Sequence, residues 1–291
     1  IVITRQSFIQ SSNAIASIFF SSHAELLSSI PIHSLRSQNI TSDNKFIGLE
    51  NFVRLVQDAD FRKALLNTLL FVLITVTLNI GIALVVAQMI SWFKSNKVRS
   101  FFRMVFFLPC IAPMVATSVV FARSIFPTTT GFLNVALNKI GIDSINWLGD
   151  PKVVMISLII YTIWVDVGYN VILFSAGIDG IPSYVYEAAD LDGASEWVKF
   201  RKITWPLLGR SFQFVIVQTL ISHFQMFAQF AVLILKDGPQ NSGLVLSRYI
   251  YKMAFEYKDM GYASAVSLVL FVIIMTLSLI EQKKSAVDWE Y

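Results

Sequence analysis

Residues 64–93 begin Ala64-Leu65-Leu66-Asn67-Thr68-Leu69-Leu70-Phe71-Val72-Leu73 and continue to Phe93 without a single charged side chain. The hydrocarbon core of a bilayer is about 30 Å thick, so a crossing helix needs about 20 mostly apolar residues. This run is long enough. Four further runs follow: Met104–Ala122, interrupted by Pro109 and Pro113; Val153–Ile178, broken only by Asp166; Ser211–Leu235; and Met260–Ile280. Only helices and closed barrels satisfy the backbone inside lipid. These runs are too long and too uniformly apolar for alternating barrel strands. The reading is an all-α, polytopic membrane helix bundle with five clear transmembrane helices.

Composition agrees. Hydrophobic residues make up 55% of the chain and charged residues 14%, against about a quarter charged in soluble domains. A net charge of +4 does not point to nucleic acid, because Lys and Arg lie in loops flanking the apolar runs, where membrane topology explains them. Lys94, Lys97, Arg99 and Arg103 lie in a loop without an acid, which places 94–103 in the cytoplasm. Alternation then puts 123–152 outside, 179–210 inside, 236–259 outside and the tail inside.

Three segments are expected. Residues 1–63 hold an N-terminal stretch, 64–281 the transmembrane domain, and 282–291 a cytoplasmic tail. Ile9–Ile32 is a weak sixth span, since Glu25 and His23 sit within it and a central acid costs about 2.5–3.5 kcal/mol on insertion scales. Phe46–Leu66 reads as an amphipathic outer-surface helix, with Leu49, Phe52, Val53 and Val56 at helical spacing. The lone Cys110 forms no internal disulfide.

One inner loop differs from a simple connector. Around Tyr186-Glu187-Ala188-Ala189-Asp190-Leu191-Asp192-Gly193-Ala194, good helix formers stand between turn residues. Ser183 is expected as N-cap, with Glu187 in the first turns where the helix dipole favours an acid. Gly193 supplies the left-handed turn. Ser195 is expected to cap a second helix, Glu196–Thr204, closed by Pro206. Tyr184, Tyr186, Trp197 and Phe200 offer aromatic anchors for a protein interface. The bland alternative is a surface helix that only anchors the chain to lipid.

The loop resembles the EAA loop of ABC importer permeases: Glu187-Ala188-Ala189, then Asp192-Gly193-Ala194, Ile203 and Pro206, within 183–206. Phe46-Ile47-Gly48-Leu49-Glu50-Asn51-Phe52, Ala64-Leu65-Leu66-Asn67-Thr68, Phe107-Leu108-Pro109, Ile145-Asn146-Trp147-Leu148 and Asp259-Met260-Gly261-Tyr262-Ala263 are similar, in order, to the carbohydrate branch of maltose, glycerol-phosphate and multiple-sugar permeases. Arg210 or Ser211 stands near where that family often has a second proline, and Ile9–Ile32 is less apolar than its first span.

The resemblance implies a multi-pass permease of a bacterial plasma membrane. It would form half of a path for a sugar or oligosaccharide and pair with a second homologous permease. ABC ATPase subunits would bind ATP and Mg, while this chain carries no cofactor and is not itself an enzyme. A solute-binding protein would dock outside, around 125–150 and 236–259. ATPase coupling falls to Glu187, Ala188, Ala189, Asp192, Gly193 and Ala194. The alternatives are a permease for a polyol, glycerol-phosphate or amino acid, and a secondary transporter needing no ATPase.

Intramembrane polar groups often mark a pathway. Asp166, Tyr169 and Asn170 share a helix face, beside Trp164. His223, Gln225, Phe227 and Gln229 form a second cluster, with Gln218, Gln225 and Gln229 expected on one face. They are substrate-path candidates, since sugar pockets combine aromatic faces with a few convergent polar groups. Interhelical hydrogen bonding is the competing explanation. No P-loop, H-E-x-x-H, CxxC or G-x-S-x-G pattern occurs, and His23, His33 and His223 offer no helix-spaced metal pair.

Overall fold

The computed structural model describes residues 30–37 and 45–284. Among these, strand pairing is limited to two-residue β1 (Arg36–Ser37) against β2 (Lys45–Phe46). The rest is helical: α1 (Glu50–Gln57), α2 (Ala59–Ser91), α3 (Asn96–Ile111), α4 (Met114–Val120), α5 (Phe132–Lys139), α6 (Val154–Asp179), α7 (Ser183–Leu191), α8 (Glu196–Lys199), α9 (Trp205–Leu207), α10 (Gly209–Phe224), α11 (Ala228–Leu233), α12 (Leu246–Tyr251) and α13 (Met260–Lys284). The expected N-terminal span and the end of the tail fall largely or wholly outside the described residues.

Three described helices, α2, α6 and α13, are long and apolar enough to cross a membrane. The other two apolar runs are interrupted. Met104–Ala122 is a pair of helices bent by 90°. Pro113 lacks the N–H that would continue the ladder and pushes Ala112 into extended geometry, φ −66°, ψ 139°. Ser211–Leu235 splits into α10 and α11 at Gln225–Phe227. That break removes the face expected to join Gln218, Gln225 and Gln229. The single amphipathic helix expected over Phe46–Leu66 is likewise divided. α1 ends at Gln57, and Asp58 is extended (ψ 115°) before α2 begins.

By internal contacts the described chain forms two compact units: residues up to Arg62 with Tyr249–Val272, and Lys63–Arg248 with residues from Ile273 onward. The first is organised around Asp58. Its carboxylate accepts hydrogen bonds from Tyr262 Oη at 2.6 Å, from Tyr249 Oη, and from the backbone N–H groups of Asp60 (2.9 Å) and Phe61 (3.2 Å). Arg54 binds Asp259 at 2.6 Å and lies 4.1 Å over the Tyr262 ring. Asn51 is buried and donates to the carbonyls of Ser34 (2.8 Å) and Arg36 (3.3 Å), while Gly48 takes φ +57°. Leu49, Val53 and Val56, the apolar stripe of α1, point outward.

In the second unit α2 buries one stripe: Ala64, Thr68, Phe71, Thr75, Asn79, Ala83 and Ala87 recur every three to four residues. Its N-terminal end pins the loop before α12. Asn67 donates to Leu244 O at 2.9 Å, and Thr68 Oγ1 accepts from Leu246 N at 2.8 Å. That loop is conformationally unusual, with Lys236, Asp237, Gln240 and Asn241 all at positive φ. The loop between α4 and α6 is built on Asn134. Its Oδ1 accepts from Ile145 N (3.0 Å) and Trp147 Nε1 (3.1 Å), and its Nδ2 donates to three carbonyls, including Ile145 O at 2.8 Å.

α3 packs against α6 at backbone distance. A Cβ on Gly168 would lie 1.9 Å from the Phe106 carbonyl oxygen. Cys110 Sγ donates to Val165 O at 2.9 Å, one turn away.

Two outcomes follow. Gly168→Val forces α3 off α6 and destabilises the protein by about 1–3 kcal/mol or more, measured as a lowered thermal midpoint in detergent. For Asp58, burial opposes the charge, but the hydrogen bonds from Tyr249, Tyr262 and the backbone prevail and hold the carboxyl below its ordinary value. Its contribution is therefore present above the unfolded pKa, near pH 4, and lost as pH falls through the depressed folded value. Asp58→Asn costs about 1–3 kcal/mol at neutral pH. Thermal melts from pH 7 to pH 3 should show less acid sensitivity in the variant than in the parent protein.

Candidate functional site

The segment after α6 forms an elbow. α7 opens with Pro182 as N-cap, making Ser183 the first helical residue rather than the cap. Proline suits this place because it presets φ and has no N–H to satisfy. At the other end Gly193 N–H bonds Asp190 O (3.0 Å) and Ala194 N–H bonds Ala189 O (2.9 Å), with Gly193 at φ +73°. This pair of bonds is a Schellman motif, in which a left-handed glycine lets the chain turn back and satisfy the helix's last carbonyls. Ser195 Oγ then accepts from Val198 N at 3.4 Å and starts α8.

The second arm departs from the expected helix Glu196–Thr204. α8 stops at Lys199, a wider π-turn covers Phe200–Thr204, and Pro206 lies inside α9 instead of closing the element. The π-turn bonds Trp205 N–H to Phe200 O, one residue further back than an α-helix. This spacing lets the chain accommodate a proline whose nitrogen donates nothing.

Lys199 clamps the two arms. Its ammonium is buried and bonds Asp190 of α7 and Glu196 of α8, the latter at 2.6 Å. Asp190 first and then Glu196 push its pKa above the ordinary lysine value, against a smaller opposing effect of burial. Tyr186 Oη and Thr204 Oγ1 add a 2.9 Å bond across the elbow. The elbow leaves large apolar side chains outside beside its charged ones. Leu191 is 91% exposed, Tyr184 69% and Trp197 67%. Trp197 is tilted against Phe200 with ring centroids 5.6 Å apart. Glu187, Ala188, Asp192 and Gly193 are exposed on the same elbow, while Ala189 and Ala194 are half-buried.

Within the bundle, two cavities share Asp166 and Ser222. One, of about 280 Å³, is lined by Cys110, Asp166, Tyr169, Asn170, Gln218, Thr219, Ser222 and His223. The other, of about 440 Å³, includes Tyr161, Asp166, Gln225, Phe227 and Gln229. Tertiary structure thus gathers seven of the eight substrate-path candidates around two adjoining spaces. Trp164 lines neither. It packs on Phe121, centroids 4.9 Å apart.

His223 is buried, with Nδ1 3.1 Å from Thr75 Oγ1 and Nε2 3.5 Å from Asp166 Oδ2. Thr75 donates its own proton to Phe71 O at 2.6 Å, so its oxygen is left to accept from the ring. Asn170 Nδ2 donates to Asn79 Oδ1 (2.8 Å) and Thr219 Oγ1 (2.9 Å). Asn170 Oδ1 and Asn79 Nδ2 are buried without a partner, one acceptor and one donor.

Residues 61–282 match the family model described as the binding-protein-dependent transport system inner membrane component. The chain belongs to this family. The permease is 36% identical over 247 residues to the probable ABC transporter permease protein YurN of Bacillus subtilis, covering 84% of each chain. It is 32% identical over 240 residues to the arabinooligosaccharides transport system permease protein AraP of the same species (82% of this chain, 76% of AraP). It is 36% identical over 243 residues to the lactose transport system permease protein LacF of Rhizobium radiobacter (81% and 80%). A crystal structure of a bacterial alginate ABC transporter with its alginate pentasaccharide-bound periplasmic protein contains a chain of the same fold, with TM-score 0.81, 22% identity, and 97% and 95% coverage. The permease is accordingly a multi-pass membrane transport subunit, and its helical fold is that of the transporter's membrane chain.

Thr75, Asn79 and Thr219 were not among the sequence candidates. The signal was available in Thr75 and Asn79, two polar groups four residues apart on one helix in an otherwise apolar run. Lys199 carried no such signal, because its partners come from both arms of the elbow.

Lys199→Met should leave the permease inserted but loosen the elbow. Hydrogen–deuterium exchange should rise across 183–207 and stay unchanged in α2 and α6.

Proposed function

We propose that this permease forms half of the translocation path of an ATP-driven importer for a sugar or oligosaccharide. The exposed and internally clamped elbow at 183–206 is the observation that carries this reading. A loop needed only to join two helices has no use for a Schellman turn, a two-carboxylate clamp and an apolar tip holding Leu191, Tyr184 and Trp197. A lever gripped by another protein has use for all three. Stiffness transmits displacement, and exposed aromatic and aliphatic groups supply contact area.

In this reading the elbow sits in a cleft of a cytoplasmic ATPase subunit, which binds the ATP and Mg. Glu187 makes a charged contact there, Gly193 sets the bend, and Asp192 and Ala194 hold its shape. A second, homologous permease completes the path. An extracytoplasmic solute-binding protein docks on outer loops, including the Asn134-built loop around 125–150. α6 ends only three residues before Pro182 and is packed on α3 at Gly168, so movement of the elbow carries both helices with it.

The cavities beside Asp166 favour a polyhydroxylated solute. They combine a carboxylate, amides and hydroxyls with the rings of Tyr169, Tyr161 and Phe227. A sugar hydroxyl both donates and accepts, so it can pair with the carboxylate, amides and hydroxyls of these walls. The named relatives for arabinooligosaccharides and lactose support a carbohydrate over an amino acid or polyol.

Gly193→Val places a β-branched residue at φ +73°, a strain of about 1–3 kcal/mol. The expected result is loss of ATP-dependent uptake of labelled sugar in reconstituted vesicles, with membrane insertion intact. Normal uptake by this variant, or solute flux that persists without the ATPase subunits, overturns the lever.

A further inference from the structure

A space larger than either bundle cavity lies behind the elbow. It measures about 770 Å³ and lies among the C-terminal part of α2, the start of α3, the end of α6 and the arms of the elbow. None of the substrate-path candidates lines it. Its wall mixes polar and apolar side chains, with Arg99, Arg103 and Asp179 in one ion-pair group and Lys199 and Glu196 in another.

At one side Arg99 and Arg103, one turn apart on α3, share a single carboxylate. Arg103 Nη2 reaches Asp179 Oδ2 at 2.7 Å and Arg99 Nη1 reaches Oδ1 at 3.4 Å. Two guanidinium groups against one carboxylate leave one positive charge over. Arg103 Nε is buried and has no acceptor. Ser183, the first residue of the nine-residue helix α7, lines the same space. No side chain caps that helix start, so its first N–H groups add positive potential there.

Next to this side stands Gln88, only 9% exposed. Its Nε2 donates to Ser91 Oγ at 3.1 Å, and its buried Oε1 has no donor, while the residue itself lines the space. Arg99 bonds the backbone carbonyl of the same Ser91. Across the space Glu196, already bonded to Lys199, adds further acceptor capacity.

We propose that this cavity is a regulatory site for a phosphorylated monosaccharide on the cytoplasmic side. The phosphate would lie against Arg99, Arg103 and the start of α7, where forked guanidinium donors and helix N–H groups suit a tetrahedral anion. Sugar hydroxyls would donate to Gln88 Oε1 and Glu196. A ligand so placed touches α3, the end of α6 and both arms of the elbow. It therefore holds still the parts that must move for import, and accumulated sugar phosphate would slow further uptake. This rests on the proposed lever and its cytoplasmic orientation.

The test uses the complete importer, with its sister permease and ATPase subunits, purified in detergent without nucleotide. Isothermal titration is run with glucose 6-phosphate, glucose and inorganic phosphate. Glucose 6-phosphate should bind, glucose should not, and inorganic phosphate should bind about tenfold more weakly. Gln88→Leu should weaken glucose 6-phosphate by about tenfold and leave phosphate unchanged. Arg103→Lys should weaken both, since an ammonium cannot present the forked edge. In proteoliposomes, glucose 6-phosphate on the ATPase side should slow ATP-driven uptake, and Gln88→Leu should relieve the inhibition with uptake otherwise normal.

Absence of glucose 6-phosphate binding to an importer that still transports on ATP overturns this site alone. So does binding that Gln88→Leu and Arg103→Lys leave untouched, or phosphate that binds as tightly as the sugar phosphate. Uptake that continues without the ATPase subunits instead overturns the lever, and is read from the same preparation.

Discussion

Inside hydrocarbon a backbone group that loses its helical partner has no water to turn to, and everything else in this permease follows from where its helices break. Side chains from other elements bind backbone carbonyls beside the breaks. At the 90° bend after α3, Met114 O accepts from Tyr161 Oη at 3.2 Å, and Tyr161 is itself held by Ser118 and Thr117 at 2.9 Å. Between α10 and α11, Met226 O accepts from Ser247 Oγ. The repairs bring polar side chains to membrane depth, and the cavities lie beside them. Breaks, repairs and polar cavities are one arrangement, because a helix that is unbroken and apolar all round has nothing to offer a hydrophilic solute.

The same economy of partners explains why a few short motifs carry so much of the architecture. Asn134 serves five hydrogen bonds and shapes the outer loop through Ile145 and Trp147. Asn67 and Thr68 hold the loop at 241–246, and Asn51 holds the approach to α1. In each case one amide or hydroxyl on a regular helix satisfies backbone groups of an irregular segment. Asn51, Asn67 and Thr68 lie in stretches where the sequence resembles other permeases, and each binds backbone groups of a neighbouring segment.

The elbow is the counterpart in water. There the constraint is stiffness, not satisfaction of the backbone alone, and it is met by a positive-φ glycine and a buried lysine between two carboxylates. Its apolar tip stays exposed because this surface is free within the single chain. The tight α3–α6 contact at Gly168 and the Arg99–Asp179–Arg103 fork join the elbow to the helices that carry Cys110 and Asp166.

Hydropathy alone determined that this chain is a helical membrane protein, because the length of an uncharged run is a local property. The bend at Gly193, the cap at Ser195 and the helix face shared by Asp166, Tyr169 and Asn170 were equally legible, since turn chemistry and helical periodicity act over a few residues. Tertiary structure decided the rest. It split the runs at Pro113 and Gln225, turned Phe200–Thr204 into a π-turn ahead of Pro206, left Trp164 outside the cavities, and joined Thr75 and Asn79 to His223 and Asn170 from helices far apart in sequence. Those outcomes depend on which distant side chain reaches a freed carbonyl or a buried charge, and that is settled only when the helices pack.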